Sequence, residues 1–269
     1  MIVIGDIAGQ KAALDALVAK LPKKPIILLG DLNDRGWESK SVIQWAMDNE
    51  DRVTTLDSNH GDMFVDWFRQ KTNALYVPRY DSDIFEANGG RATISSYDLD
   101  FRSTTNELLT NGDLNEHIYW LSTRPSHIVH EINTQKYLFS HAPMNPNTHR
   151  SFDQFLNKGE GFCGYPSDPD SENNFQWNRN EPFQFHRDLP DTISVFGHNS
   201  GKDLKLFCEQ YKDGIYIKGT DLLQELVDKN KGEVYGICMD TSRGEKLTAL
   251  DLSTMTIYHS NYLPEARMY

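Results

Sequence analysis

Between Met1 and Phe68 the sequence passes three times from a short apolar run through a polar loop into an amphipathic segment, and this repetition restricts the fold more than any other feature. The run 1–4 leads into Gly5-Asp6 and then into Leu14, Leu17, Val18 and Leu21, spaced i, i+3, i+4 and i+7 like one face of a helix. The run 25–29 leads into Gly30-Asp31 and a second helical face of Val42, Ile43, Ala46 and Met47. The run 52–56 leads into Ser58-Asn59-His60 and a third helix carrying Phe64, Trp67 and Phe68. Three strand–helix units in succession predict a largely parallel sheet with helices packed on it.

Residues 72–125 lose this rhythm and read as an inserted helical region, with one helix over 114–121. Strands are expected again at 126–131, 136–139, 192–196, 233–238 and 247–252, with 256–259 as a last edge strand. Their closeness favours hairpins and mixed pairing. Residues 157–191, rich in Gly, Pro, Asp and Asn, suit a long loop over an active site. The expectation is one α/β domain over residues 1–269.

Charge narrows the function. Lys and Arg number 27 against 39 Asp and Glu, a net charge of -12 that repels polyanions and argues against general nucleic-acid binding. The chain shows no basic leader and no apolar run near the roughly 18 residues a membrane span needs, which points to a cytoplasmic protein without a membrane partner. Cys163, Cys208 and Cys238 stand in no metal-ligand spacing and read as thiols in a reducing compartment.

Five apolar runs end beside a side chain able to bind a metal: Asp6, Asp31, Asn59, His141 and His198. Each alone is weak, since a Gly-Asp after a strand is usually a turn. Together they matter, because loops at the carboxyl ends of strands converge on one edge of an α/β sheet. Carboxylate, amide and imidazole form a hard-to-borderline set suited to Mn²⁺, Fe or Zn²⁺. A carboxylate such as Asp31 can bridge two cations about 3.5–4 Å apart, which clamp a phosphate and activate water.

Gly5-Asp6-Ile7-Ala8-Gly9, Gly30-Asp31-Leu32-Asn33-Asp34-Arg35-Gly36, Ser58-Asn59-His60, Ser140-His141-Ala142 and Phe196-Gly197-His198 resemble, in order, the motifs of the calcineurin-like metallophosphoesterases. Asp34-Arg35-Gly36 and Trp177-Asn178-Arg179 are similar to the serine/threonine phosphoprotein phosphatases of bacteria and phages, with the diadenosine tetraphosphatases as close cousins. The resemblance implies a four-layer sandwich of two mixed β-sheets flanked by helices, with a metal site at strand ends. It implies that Asp6 and Asp31 belong to a first metal, and that Asp31, Asn59, His141 and His198 hold a second. One or two divalent ions per chain, Mn²⁺ first among them, are expected. His60 would donate a proton to the leaving group, Asp34 would orient that imidazole, and Arg35 and Arg179 would grip phosphate oxygens. The implied reaction is phosphomonoester hydrolysis by metal-activated water on a phosphorylated substrate, with phosphoserine and phosphothreonine among those the resemblance suggests. The alternatives are a dinucleoside polyphosphate hydrolase and a catalytically impaired phosphate-binding protein.

The sequence departs from that pattern where Ala8 stands in place of the usual histidine ligand, which puts the first metal in doubt. Gln10 offers an amide oxygen nearby but reads as an exposed first-turn residue rather than a ligand. The usual Glu after Asn-His is absent, and Asp62 either takes over its role or simply begins a helix, where a carboxylate is favoured. Asp240-Thr241-Ser242 resembles a late Asp-Thr-Gly stretch whose role is structural.

Overall fold

The structure is a computed structural model that describes residues 1–143, 191–198, 215–219, 223–228, 231–239 and 246–261. Arg179, the rest of the expected loop 157–191, Cys163, Cys208 and the 240–242 stretch lie outside the described residues.

The three strand–helix units form as expected: β1 (Ile2–Ile4), α1 (Lys11–Val18), β2 (Ile26–Leu28), α2 (Ser39–Asp48), β3 (Val53–Thr55) and α3 (Asn59–Thr72). The third helix begins at Asn59, so Asn59 and His60 occupy its first turn rather than the loop before it. Ser58 caps that turn, its hydroxyl accepting the Gly61 N–H at 3.2 Å. Helical pieces follow at α4 (Ser82–Phe85), a π-turn (Glu86–Gly90), α5 (Arg91–Ser95), α6 (Thr105–Thr110) and α7 (Gly112–Leu121). The later strands are β4 (His127–Ile132), β5 (Gln135–Ser140), β6 (Thr192–Phe196), β7 (Ile215–Gly219), β8 (Gln224–Asp228), β9 (Val234–Cys238), β10 (Thr248–Asp251) and β11 (Thr256–His259). The hairpin of β7 and β8 is not anticipated from sequence.

The strands make two sheets. In the first, ordered β11-β10-β1-β2-β3, strands β1 to β3 run parallel and β10 and β11 run antiparallel. In the second, ordered β4-β5-β6-β9-β8-β7, the parallel centre β5-β6-β9 is flanked by antiparallel strands on both sides. Alternation along three-residue strands assigns the faces. Ile2, Ile4, Ile26 and Leu28 pack with Leu14 and Leu17 of α1, Val42 and Ile43 of α2, and Phe64 and Trp67 of α3. Val3, Ile27 and Leu250 point the other way and pack with Tyr137, Phe139, Val195 and Ile237 of the second sheet. The sheets therefore lie face to face with helices flanking them, the α/β architecture expected. Each such aliphatic chain contributes roughly 1.5–3 kcal/mol on full burial. No helix among the described residues is long and apolar enough to cross a membrane.

The helices between β3 and β4 are pinned to α3 by aromatic and ionic contacts. Phe85 stacks on Phe64 with centroids 5.5 Å apart and tilts against Trp67 at 5.7 Å. Asp62 pairs with Arg79 and accepts from the Tyr80 hydroxyl at 2.8 Å, while Asp66 accepts from the Tyr76 hydroxyl at 2.6 Å and the Arg79 N–H at 3.0 Å. Asp62 thus sits in the first turn of α3 and fastens the segment after that helix. Burial pushes its carboxyl up, with Arg79 opposing.

His117 of α7 is fully buried, accepting at Nδ1 from the Tyr97 hydroxyl at 2.7 Å and facing Gln44 Oε1 with Nε2 at 3.0 Å. Burial, assisted by the nearby Lys40 cation, lowers its pKa from 6.5 to about 4, against Asp113 and Asp48. The unfolded chain therefore takes up a proton that the native chain refuses. Stability is fully present above pH 6.5 and declines as pH falls towards 4. His117→Gln is expected to flatten the fall in melting temperature across that window; parallel melting curves for variant and parent would contradict this.

Candidate metal centre and active site

Two loops at the carboxyl ends of β1 and β2 are locked together before any side chain is considered. The Asp31 carbonyl accepts from Ile7 N at 3.0 Å and Ala8 N at 2.7 Å, Leu32 O accepts from Gly9 N at 2.9 Å, and Ala8 O accepts from Gly36 N at 3.0 Å. The approach leaves no room at Gly36, where an added Cβ would lie 2.5 Å from the carbonyl oxygens of Ala8 and Gly9. This interlock holds several residues in the left-handed region: Ala8 (φ 50), Asp31 (φ 44), Asp34 (φ 69) and Arg35 (φ 63), with His198 (φ 62) on the neighbouring loop. Each such conformation costs on the order of 1 kcal/mol, and such residues cluster where side chains must be aimed at a site.

The aim is convergent. Asp6, Asp31 and His141 bring one ligand atom each to within 4.8 Å of one another, all three buried. His141 Nε2 lies 3.3 Å from Asp31 Oδ1, 2.8 Å from Asn59 Oδ1 and 3.2 Å from His198 Nδ1. The His198 N–H points at Asp6, 3.2 Å from Oδ2. Gly197 permits this seat, because a Cβ there would fall 2.4 Å from Asp6 Oδ1.

Lone pairs decide whether these residues suit a cation. His141 Nδ1 lies 2.9 Å from the Leu29 carbonyl, which only accepts, so Nδ1 carries a proton and Nε2 is the nitrogen that can present a lone pair to a cation. That lone pair faces the Asn59 amide oxygen and Asp31 Oδ1, two further acceptors. Asp31 Oδ1 is buried with no hydrogen-bond partner, an arrangement costing roughly 1–3 kcal/mol unless a ligand fills it. Burial by itself would raise the Asp31 carboxyl. Positive charge on His141 and His60 when they are protonated, with the Arg35 guanidinium and His198, outweighs it and holds that carboxyl well below the usual range, so the aspartate is ionised at neutral pH. Facing acceptors around a buried carboxylate fit a divalent cation in charge and in donor type.

A second group of residues stands beside the first. His60 Nδ1 is 2.5 Å from Asp34 Oδ2, and its Nε2 is 2.9 Å from Arg35 Nη2 and 3.8 Å from Asp31 Oδ2. Asp34 accepts and cannot donate, so the ring proton lies on Nδ1. Arg35 donates and cannot accept, so Nε2 receives the guanidinium. Asp34 Oδ1 is held by the Asn33 amide at 2.9 Å and the Thr93 hydroxyl at 2.6 Å.

Eight of the nine residues singled out from sequence thus come together: Asp6, Asp31, Asp34, Arg35, Asn59, His60, His141 and His198; the ninth, Arg179, lies outside the described residues. Sequence reading passes over Asn33 and Thr93; only the place of Asn33 inside the 30–36 motif hints at it. The expectation for Gln10 needs correction, because it is 8% exposed rather than an open first-turn residue. The loop after β2 is bonded on either side of it, with Glu38 N donating to Gly9 O at 3.1 Å and Ala12 N donating to Glu38 Oε2 at 3.2 Å. Ala8 is fully buried, and its methyl offers no ligand.

No protein-family model matches the sequence, and no curated protein matches it. Solved structures do. A protein serine/threonine phosphatase from Saccharomyces cerevisiae, with similarity to human phosphatase PP5, superposes with a TM-score of 0.53 at 14% identity, covering 97% of this chain and 79% of that one. A metallophosphoesterase from Sphaerobacter thermophilus gives a TM-score of 0.47 at 11% identity, covering 98% of this chain and 90% of that one. The chain shares its fold with that serine/threonine phosphatase structure.

Proposed function

We propose that this chain is a cytoplasmic metal-dependent phosphoesterase that hydrolyses phosphomonoesters, with phosphoserine and phosphothreonine as its substrate class and Mn²⁺ as its cation. The observation that carries this reading is the buried Asp31 oxygen without a hydrogen-bond partner, set among Asn59, His141 and His198 and beside the Asp34–His60–Arg35 group. Asp31, Asn59, His141 and His198 would hold one cation, and Asp6 with Asp31 a weaker second one, since Ala8 adds no imidazole. The chemistry a divalent cation supplies when bound is positive charge on the phosphoryl group and water made nucleophilic near neutral pH.

The protein's own residues do the rest. Arg35 presents a planar fork that matches two phosphate oxygens. An incoming phosphate competes for that fork with His60 Nε2, and once Arg35 turns to the substrate, Nε2 is released to hold a proton for the leaving oxygen. Asp34 keeps Nδ1 protonated and the ring aligned. An alkoxide leaves poorly without that proton, so the arrangement suits esters of serine or threonine. The serine/threonine phosphatase of similar fold gives this substrate class added support.

The test is turnover. Purified protein supplied separately with Mn²⁺, Fe²⁺, Co²⁺ and Zn²⁺ is expected to cleave p-nitrophenyl phosphate and a phosphothreonine peptide, fastest with Mn²⁺. Faster cleavage of a dinucleoside tetraphosphate than of the peptide would reassign the substrate. No turnover with any of the four cations, before or after Ala8→His, would leave a phosphate-binding protein in its place.

A further inference from the structure

We propose that Thr93 of α5 is the positioning residue for the Asp34–His60 pair, so that the helical region after α3 enters the chemistry through a buried hydroxyl. Its functional meaning rests on the phosphoesterase reading; its geometry does not. The Thr93 oxygen accepts the Asp34 N–H at 2.8 Å and donates to Asp34 Oδ1 at 2.6 Å, gripping the backbone and the carboxylate of one residue at once. A hydroxyl has a single proton. With that proton on Oδ1, Ser39 Oγ at 3.1 Å is left to donate to Thr93, and it also accepts the Asp34 N–H at 3.2 Å.

This accounting fixes which oxygen of Asp34 serves His60. Oδ1 is engaged twice, by Thr93 and by the Asn33 amide, and the same amide reaches the His60 carbonyl at 3.0 Å. Oδ2 is thereby turned to His60 Nδ1. Asp34 stands in the left-handed region, so its backbone needs outside partners for its N–H, and Thr93 supplies the nearer one. Thr93, Ser39 and Asp34 are all fully buried, which removes water as a substitute. Without the hydroxyl, Asp34 keeps one donor on Oδ1 and gains freedom about its side-chain torsions.

Thr93→Val keeps the shape of the side chain and removes the hydroxyl; Thr93→Ser does the reverse. In metal-free protein, the His60 Nδ1 proton held against a carboxylate gives a far-downfield proton resonance, assigned by its loss in His60→Asn. The resonance is expected to persist in Thr93→Ser and to move upfield or vanish in Thr93→Val. With Mn²⁺ present, Thr93→Val is expected to lose roughly 10–100-fold in turnover of an alkyl phosphate, as a small misplacement of a reacting group can cost. The loss on p-nitrophenyl phosphate is smaller, and Thr93→Ser recovers most of it. Should Thr93→Val melt below the assay temperature, Thr93→Ala removes the same hydroxyl with less bulk. An unchanged resonance in a folded variant lacking the hydroxyl, or a serine variant as impaired as valine, overturns the proposal. A resonance that follows the Thr93 hydroxyl in a protein that cleaves no phosphoester supports the positioning role and overturns the phosphoesterase reading instead.

Discussion

Asp31→Asn is expected to abolish phosphoester turnover and to weaken Mn²⁺ binding by at least about 100-fold, as loss of a directly coordinating group should exceed loss of an outer partner. The substitution barely changes volume and leaves the backbone carbonyl that Ile7 and Ala8 share. What it removes is a formal negative charge at the point where Asn59, His141 and His198 gather. The binding loss is readable without catalysis. At Mn²⁺ of 100 times the parent's dissociation constant, the parent gains about 2.7 kcal/mol of stability, whereas a variant binding 100-fold more weakly gains about 0.4 kcal/mol. Equal stabilisation of the two by Mn²⁺ would show that Asp31 holds no cation.

His60→Asn separates proton delivery from cation binding. His60 Nε2 is 3.8 Å from Asp31 and engages Arg35, so the variant should bind Mn²⁺ as the parent does. Its turnover on an alkyl phosphate is expected to fall by roughly 10²–10⁴, the usual contribution of a general acid. On p-nitrophenyl phosphate the fall should be far smaller, since p-nitrophenolate departs without a proton. An identical fall for both esters would assign His60 to binding rather than to proton transfer, and an unchanged rate would remove it from the reaction.

What the sequence discloses follows from how strands carry information. Asp6 and Asp31 are legible because each follows an apolar run directly, and the carboxyl end of a strand has one place to go in a sheet of this kind. His141 and His198 are legible in the same way after β5 and β6. Thr93 is silent because a threonine within a short helix carries no pattern, and its bond to Asp34 spans 59 residues. Gln10 misleads because Glu38, brought back by a loop whose path local spacing does not fix, is bonded to the residues on either side of it. The β7–β8 hairpin escapes because strands of five residues carrying Lys218 and Glu225 give too short an alternation to separate from loop. Asp62 could be weighed only between two roles, and Arg79, 17 residues away, settles where it points.

The shared hydrogen bonds between the 6–10 and 30–36 loops have an evolutionary corollary. A length change in either would tear the other, so neither can drift alone, and a side chain installed at position 8 would emerge from a backbone already set. Novelty in a chain of this design must therefore be grafted outside the two loops, and even the helices after α3 can be exchanged only if they keep a hydroxyl where Thr93 meets Asp34.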